Sequence, residues 1–577
     1  MQYLLAAVVV LPLLGAAGAL LPAPPGLKGR NPGQAVLRHG VTVTGVVLAA
    51  AVALAAGFDH DHPARMQATT DLSWIPALDI RIHLGVDGIS LPLVVLTALL
   101  AFLCALYSYF RPPVTHHRPS KEALRATRAP EGPSSKAFVA LLLTLEAGTL
   151  ASFAVLDLML FFLAFEMVLI PMYFLIARWG GAGKQAAAWK FILYTLLGSV
   201  VMLLGLLLIG VKSGTFDMVA LATDNGPKAQ LSHTVQLLAV LAVGIGLAVK
   251  SPLWPLHSWL PDAHTAAPTV GSVLLAGVLL KMGTYGFVRI ALPITPEGMH
   301  TFAPYLAALA AIGIIYGSLA CLALVRKGAG GDLKRLIAYS SVGHMGFVLL
   351  GIASMTPTGV NGALFANIAH GLITGLLFFM VGALKDRTGS TDLDTLSRPS
   401  PDHRPSTRGS AAPLPYGTGA ALYGKAPRFG GLLAFAAVAS LGIPGLAGFW
   451  GEMLAMFGAF RPAAGLSRPA FLTFMALAGL GTLLTAAYLL LVVRRVCMGG
   501  TPAAVEAAPA VEEGTATAAE AATAAPAAPA PVIPDLARHE YAAWTPLAVL
   551  TVLAGLWPAA LLGLTDPAVQ QLLGGGK

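Results

Sequence analysis

Apolar runs of about 18–25 residues, the length needed to cross the hydrocarbon core of a bilayer, recur about fourteen times along this chain. They lie near 2–21, 40–57, 88–110, 137–156, 158–177, 187–210, 234–258, 268–291, 302–325, 336–354, 360–383, 430–460, 470–493 and 542–563. Inside lipid the backbone must satisfy its own hydrogen bonds, and single runs of this length do so as helices. The predicted fold is therefore an all-α polytopic membrane protein with about fourteen transmembrane helices. Charged residues make up only 11% of the chain, where a soluble domain carries about 25%.

The basic residues give the topology. Met1–Leu21 is apolar and has no preceding positive charge, Lys28 being the first. That pattern predicts a first membrane helix with its N-terminus outside, not a cleaved signal peptide. Alternate loops then hold 26 of the 36 Lys and Arg residues and fall on the cytoplasmic side. Only Lys250 and Lys281 fall within the membrane. The net charge of +9 thus follows topology, and no basic stripe interleaved with aromatics points to nucleic acid. Cys104, Cys321 and Cys497 are scattered, with no C-x-x-C to support a cluster or zinc site. Neither a dinucleotide fingerprint nor a Walker motif is found, so redox chemistry is not expected of this chain alone.

The whole chain, 1–577, reads as a single membrane domain. The stretches 112–135, 392–428 and 500–535 are rich in Pro, Ala, Ser, Gly or charge and read as flexible cytoplasmic linkers. The seventh and twelfth runs are interrupted at their centres, in KSPLWPLHSWLP and LGIPGLAGFWGEML, and read as discontinuous helices. These breaks lie five helices apart. An odd number of helices per unit inverts successive repeats, as in secondary transporters. The first repeat is placed at 137–291 and the second at 302–493, with 542–563 as the last crossing.

Ionisable groups inside apolar runs are costly and mark ion pathways. A lysine in low dielectric keeps its proton while a carboxylate is close and releases it when the two separate. Glu166 in FFLAFEMVLIPMYFL and Lys250 beside the first break form the candidate pair. Lys281 lies mid-helix with no obvious partner in its own helix, and Glu452 follows the second break. His344 and His370, in the tenth and eleventh runs, can relay protons near neutral pH. His257 flanks the first break, either as a relay or as a structural group. Glu146 is intramembrane and is a further candidate, unless it pairs with a basic residue of an adjacent subunit. Asp262 is expected to satisfy backbone donors at the following turn, and Lys190 to reach the interface.

The stretches FEMVLIPMYFLIARWG, AVKSPLWPLHSWLPDAHTAAPTVGSVLLAGVLLKMGTYGFVRI, DLKRLIAYSSVGHMGFVLLGI, IAHGLITGLLFFMVGAL and GIPGLAGFWGEMLAMFGAF resemble the antiporter-like membrane subunits of proton-pumping NADH–quinone oxidoreductases (complex I). Glu452, where related branches carry lysine, is the pattern of the subunit M branch. The resemblance implies fourteen helices, with two inverted five-helix repeats in helices 4–8 and 9–13. It implies a Glu166–Lys250 ion pair, a central Lys281, and a path through His344 to Glu452. It also implies a subunit with no cofactor of its own in the cytoplasmic (inner) membrane of a bacterium. NADH, FMN, iron–sulfur clusters and quinone would be held by partner subunits, and sister antiporter-like subunits would lie beside it. The rival function is a subunit of a multisubunit cation/proton antiporter; a static scaffold is the other alternative.

Overall fold

The computed structural model describes residues 1–21, 32–112, 134–223, 231–397, 421–498 and 533–574. Within them, twelve helices are long and apolar enough to cross a membrane, or thirteen if the bent pair Arg538–Leu556 and Ala559–Leu572 counts as one span. The stretch expected as the twelfth crossing, 430–460, is two shorter helices, Pro427–Ala439 and Ala447–Phe460. Pro444 lies in the gap between them, where its ring removes a backbone donor.

The seventh expected run behaves similarly. His233–Lys250 is helical, the chain leaves the helix through Pro252 and Pro255, and Trp259–Ala266 resumes it. Lys250 therefore lies at a helix C-terminus, where the helix dipole favours a cation, and not in the middle of a continuous span. The run at 158–177 crosses as one helix, Leu158–Trp179, with a one-residue irregularity at Val168 between Leu158–Met167 and Leu169–Trp179. The last span bends by 67°.

Thr269–Ile294 and Pro357–Thr388 form the centre of the bundle, with Leu333–Ala353 beside them. Their apolar side chains are almost wholly buried by neighbouring helices, so few of them are left to face lipid. The outer helices Gln2–Leu20, Pro32–Ala56 and Lys184–Ser213 keep broad exposed apolar faces.

Two short strands, β1 (Gln67–Ile75) and β2 (Ile80–Val86), pair antiparallel in the second connection. The sequence reading does not expect this hairpin, although Ile80, Ile82, Leu84 and Val86 alternate with Arg81, His83 and Gly85. Its turn places Asp79 in the left-handed region, and Arg81 bonds Asp71 through two nitrogens. His83 of β2 reaches Asp217 at 2.5 Å.

A clasp occurs twice. Asp157 caps the helix starting at Leu158 and bridges to Asp217, while Asp332 caps the helix starting at Leu333 and bridges to Asp392. The sequence separation is the same in both. Each second aspartate follows a helix closed by a left-handed glycine, Gly214 or Gly389. Each also precedes a short helix, Met218–Ala222 or Leu393–Ser397.

The expected linkers fall largely on residues that the structure does not describe. Residues 113–133, 398–420 and 499–532 lie outside the described residues. Parts of the stretches placed at 392–428 and 500–535 are described, and they are structured. Leu393–Ser397 and Leu422–Lys425 are helical. Arg495 holds Asp394 at 2.6 Å, and Asp535 accepts from the Phe429 amide at 2.8 Å.

Candidate functional site

Lys281 is fully buried in the helix Thr269–Ile294. Two wide π-helical turns flank it, Leu275–Leu279 and Phe287–Ala291. Such turns take carbonyls out of the regular ladder and occur often at functional sites. The Lys281 ammonium donates to the carbonyl of Ala276, within the first wide turn. The lysine thus does have a partner in its own helix, contrary to expectation.

Its second partner is His370. Lys281 Nζ and His370 Nδ1 lie 2.6 Å apart. The His370 ring faces that of His344 at 5.7 Å between centroids, with the planes inclined by 64°. His344 in turn bonds Glu452 Oε1 through Nδ1 at 3.1 Å and Ser440 Oγ through Nε2 at 3.0 Å. Thr482 donates to Glu452 Oε2 at 3.3 Å. A cavity of about 20 Å³ is lined by His344, His370, Thr374, Ser440 and Glu452. A cavity above about 10–15 Å³ has room for one water; the wall of this one also includes Phe347, Ala366, Ala369 and Ile373.

The second helix break builds this end of the line. Ser440 follows the last turn of Pro427–Ala439, and Glu452 lies early in Ala447–Phe460, so the gap brings both to His344. Gly442 in the gap has φ +70°, and a Cβ there would meet Glu452 Oε2 at 2.9 Å. Only glycine meets both demands without strain.

Glu166 and Lys250 are arranged differently from the expected ion pair. No ion pair within 4.0 Å joins them. Lys250 Nζ and Glu166 Oε1 are buried, and neither has a hydrogen-bond partner. They remain near enough for their charges to interact. Glu166 lies beside the irregularity at Val168 in its span, and Lys250 ends the helix His233–Lys250. Next to Lys250, Ser251 packs on Gly283 so closely that a Cβ there would meet its hydroxyl at 2.3 Å. The first break therefore lies directly against the Lys281 helix.

The other candidates stand apart. His257 packs edge-on to Tyr316, at 5.0 Å between centroids, with Nδ1 unbonded. Glu146 is buried with both oxygens lacking a hydrogen-bond partner, and no bond joins it to the line. Asp262 does not serve backbone donors; it pairs with Lys190 at 2.7 Å and Arg335 at 3.3 Å, so Lys190 is tied down.

Sequence reasoning passed over Ser251, Ser440, Thr482 and Lys334. The last is buried and donates to the Ala267 carbonyl at 2.9 Å, lining a cavity of about 380 Å³. Buried hydroxyls carry no charge signal, and Lys334 lies only two residues beyond a helix cap, where a solvated lysine is ordinary.

A family model described as NADH:quinone oxidoreductase/Mrp antiporter, TM, matches residues 155–405, a span holding Glu166, Lys250, Lys281, His344 and His370. The chain is 37% identical to NADH-quinone oxidoreductase subunit M of Rhodobacter capsulatus, over 99% of this chain and 97% of that one. It is similar to a chain in respiratory complex I from Thermus thermophilus with bound NADH, with TM-score 0.74, 27% identity and coverage of 99% and 100%. A chain of the Mrp complex from Dietzia sp. DQ12-45-1b shares the fold, with TM-score 0.74, 22% identity and coverage of 99% and 97%.

Proposed function

This chain belongs to the NADH-quinone oxidoreductase subunit M family, and from that premise we propose that the line Lys281–His370–His344–Glu452 carries protons, gated by Glu166 and Lys250. The chain is a multi-pass membrane subunit of an oxidoreductase complex. The observation that carries the reading is the run of titratable side chains through an otherwise apolar core, hydrogen-bonded from Lys281 to His370 and from His344 to Glu452, with the two rings edge to face between them. Each step is a hydrogen bond or is short enough for one water.

The gate works by charge. With Glu166 close, the Lys250 ammonium is held; with the carboxylate withdrawn, an ammonium in low dielectric gives up its proton. In this reading, a Lys250 ammonium without a hydrogen-bond partner is ready for release. The proton passes along the first break, past Ser251, to Lys281. It then crosses to His370 and His344 and leaves near Glu452. NADH, FMN, iron–sulfur clusters and quinone are handled by partner subunits, and sister antiporter-like subunits flank this chain. The location is a bacterial inner membrane with the N-terminus outside.

The fourteen-helix reading takes Pro427–Ala439 and Ala447–Phe460 as one discontinuous crossing. The twin aspartate clasps support two repeats, and the topology read from basic residues puts the clasps on opposite sides, as inversion requires.

In the assembled complex, Glu166→Gln and Lys250→Ala should each abolish most pumping-linked turnover while subunit content is retained. Normal proton pumping by both would overturn the reading. Sodium-linked proton exchange independent of NADH would instead favour the antiporter alternative. A static scaffold would tolerate matched neutral substitutions at Glu166 and Lys250.

A further inference from the structure

Lys250 has one close partner, and it is uncharged. Its Nζ lies 4.4 Å from the centroid of the Phe165 ring, inside the range of about 6 Å over which a ring face attracts a cation. The lysine is 2% exposed and its Nζ has no hydrogen-bond partner. Phe165 is 1% exposed and packs on Phe161, with ring centroids 5.7 Å apart, so the ring is fixed in place. The next residue along the helix is Glu166, the carboxylate proposed to govern Lys250, with Oε1 itself unpartnered. Neighbouring residues on a helix point about 100° apart. From Lys250, the ring and the carboxylate therefore lie in two separate directions.

We infer that Phe165 is a positioning residue, a second and uncharged seat for the Lys250 ammonium, and that Lys250 alternates between the Phe165 ring and the Glu166 carboxylate. The inference rests on the reading of Lys250 as a proton carrier. A bare ammonium leaving Glu166 in an apolar core would have nothing to attract it. The negative face of the ring supplies a weaker hold that keeps the group charged and in place until it hands its proton onward. A hold this weak can be left again, whereas a second carboxylate would trap the proton.

The test uses the whole complex in membrane vesicles. Position 165 is occupied in turn by phenylalanine and by its mono-, di- and trifluoro ring analogues, which weaken the negative face at nearly constant shape. Phe165→Leu is made in parallel, as is Lys250→Ala. Pumping-linked turnover, scaled to assembled complex, should fall stepwise with fluorine number, to about one-tenth for the trifluoro ring and for Phe165→Leu. A flat fluorine series, with Lys250→Ala inactive, would overturn the role of Phe165 alone. Full pumping by Lys250→Ala would instead overturn the proton-carrier reading beneath it. Should Phe165→Leu fail to assemble, the fluorine series still decides.

Discussion

Lys281 Nζ sits 2.6 Å from His370 Nδ1, joining two buried helices through a hydrogen bond. A lysine in this setting has little to hold it besides the Ala276 carbonyl and that ring. The contact is the shortest route out of the first half of the line, and it sets the most direct experiment. His370→Gln retains hydrogen-bonding capacity but cannot carry a proton. It should leave the complex assembled and lower pumping by about tenfold or more. Proton uptake into inverted vesicles, per electron transferred, is the measurement; an unchanged ratio would remove His370 from the path.

Glu452 and Ser440 both bond His344, yet they should differ in effect. Glu452→Gln removes the terminal proton acceptor and should stop net transfer. Ser440→Ala removes only a hydroxyl that orients the ring and should cost a few-fold, about 1 kcal/mol. Equal losses from the two variants, in steady-state pumping, would mean that His344 is held in place and nothing more.

Gly442→Ala tests the second break. With φ +70° and Glu452 Oε2 only 2.9 Å from the new Cβ, alanine is strained and displaces the carboxylate. A backbone cost of about 1–2 kcal/mol is expected. The functional loss should resemble that of Glu452→Gln, whereas Gly431→Ala, at a glycine with open space around it, should be silent. Wild-type pumping by Gly442→Ala would show that the position of Glu452 is not demanding.

The hairpin makes a pH prediction outside the membrane. Burial alone would push the His83 pKa down, but the hydrogen bond and charge of Asp217 outweigh it and hold it above the usual histidine value. Burial would push Asp217 up, but His83 and the Ala220 amide hold its carboxyl below the usual range. The histidine contribution is fully present below about pH 6.5 and is lost as pH rises through the raised value. The aspartate contribution is present above about pH 3.9 and is lost as pH falls through the lowered value. Docking of β2 should therefore be strongest between about pH 4 and 6.5. Hydrogen exchange of residues 80–86 should show least opening in that window, and His83→Ala should flatten the profile.

Much of the site was legible because insertion cost is a local property. Glu166, Lys250, Lys281, His344, His370 and Glu452 each stand out as ionisable within an apolar run, whatever surrounds them. Their order of contact did not follow from the sequence. The path was drawn from Lys281 to His344, yet His370 lies between them, because helix rotation sets which ring faces the lysine. Glu146 carries the same local signal, yet no hydrogen bond joins it to the line among the described residues.

The polytopic all-α class, the two proline-marked breaks and most of the buried charges were readable in the chain itself, since bilayer length and proline geometry act on contiguous residues. Tertiary structure alone decided the partners: the gap between Glu166 and Lys250, the ring of Phe165 under the ammonium, the wide turns around Lys281 and the hydroxyl of Ser440 on His344. Those depend on the depth and rotation at which separate helices meet, and packing fixes both through residues far apart in sequence.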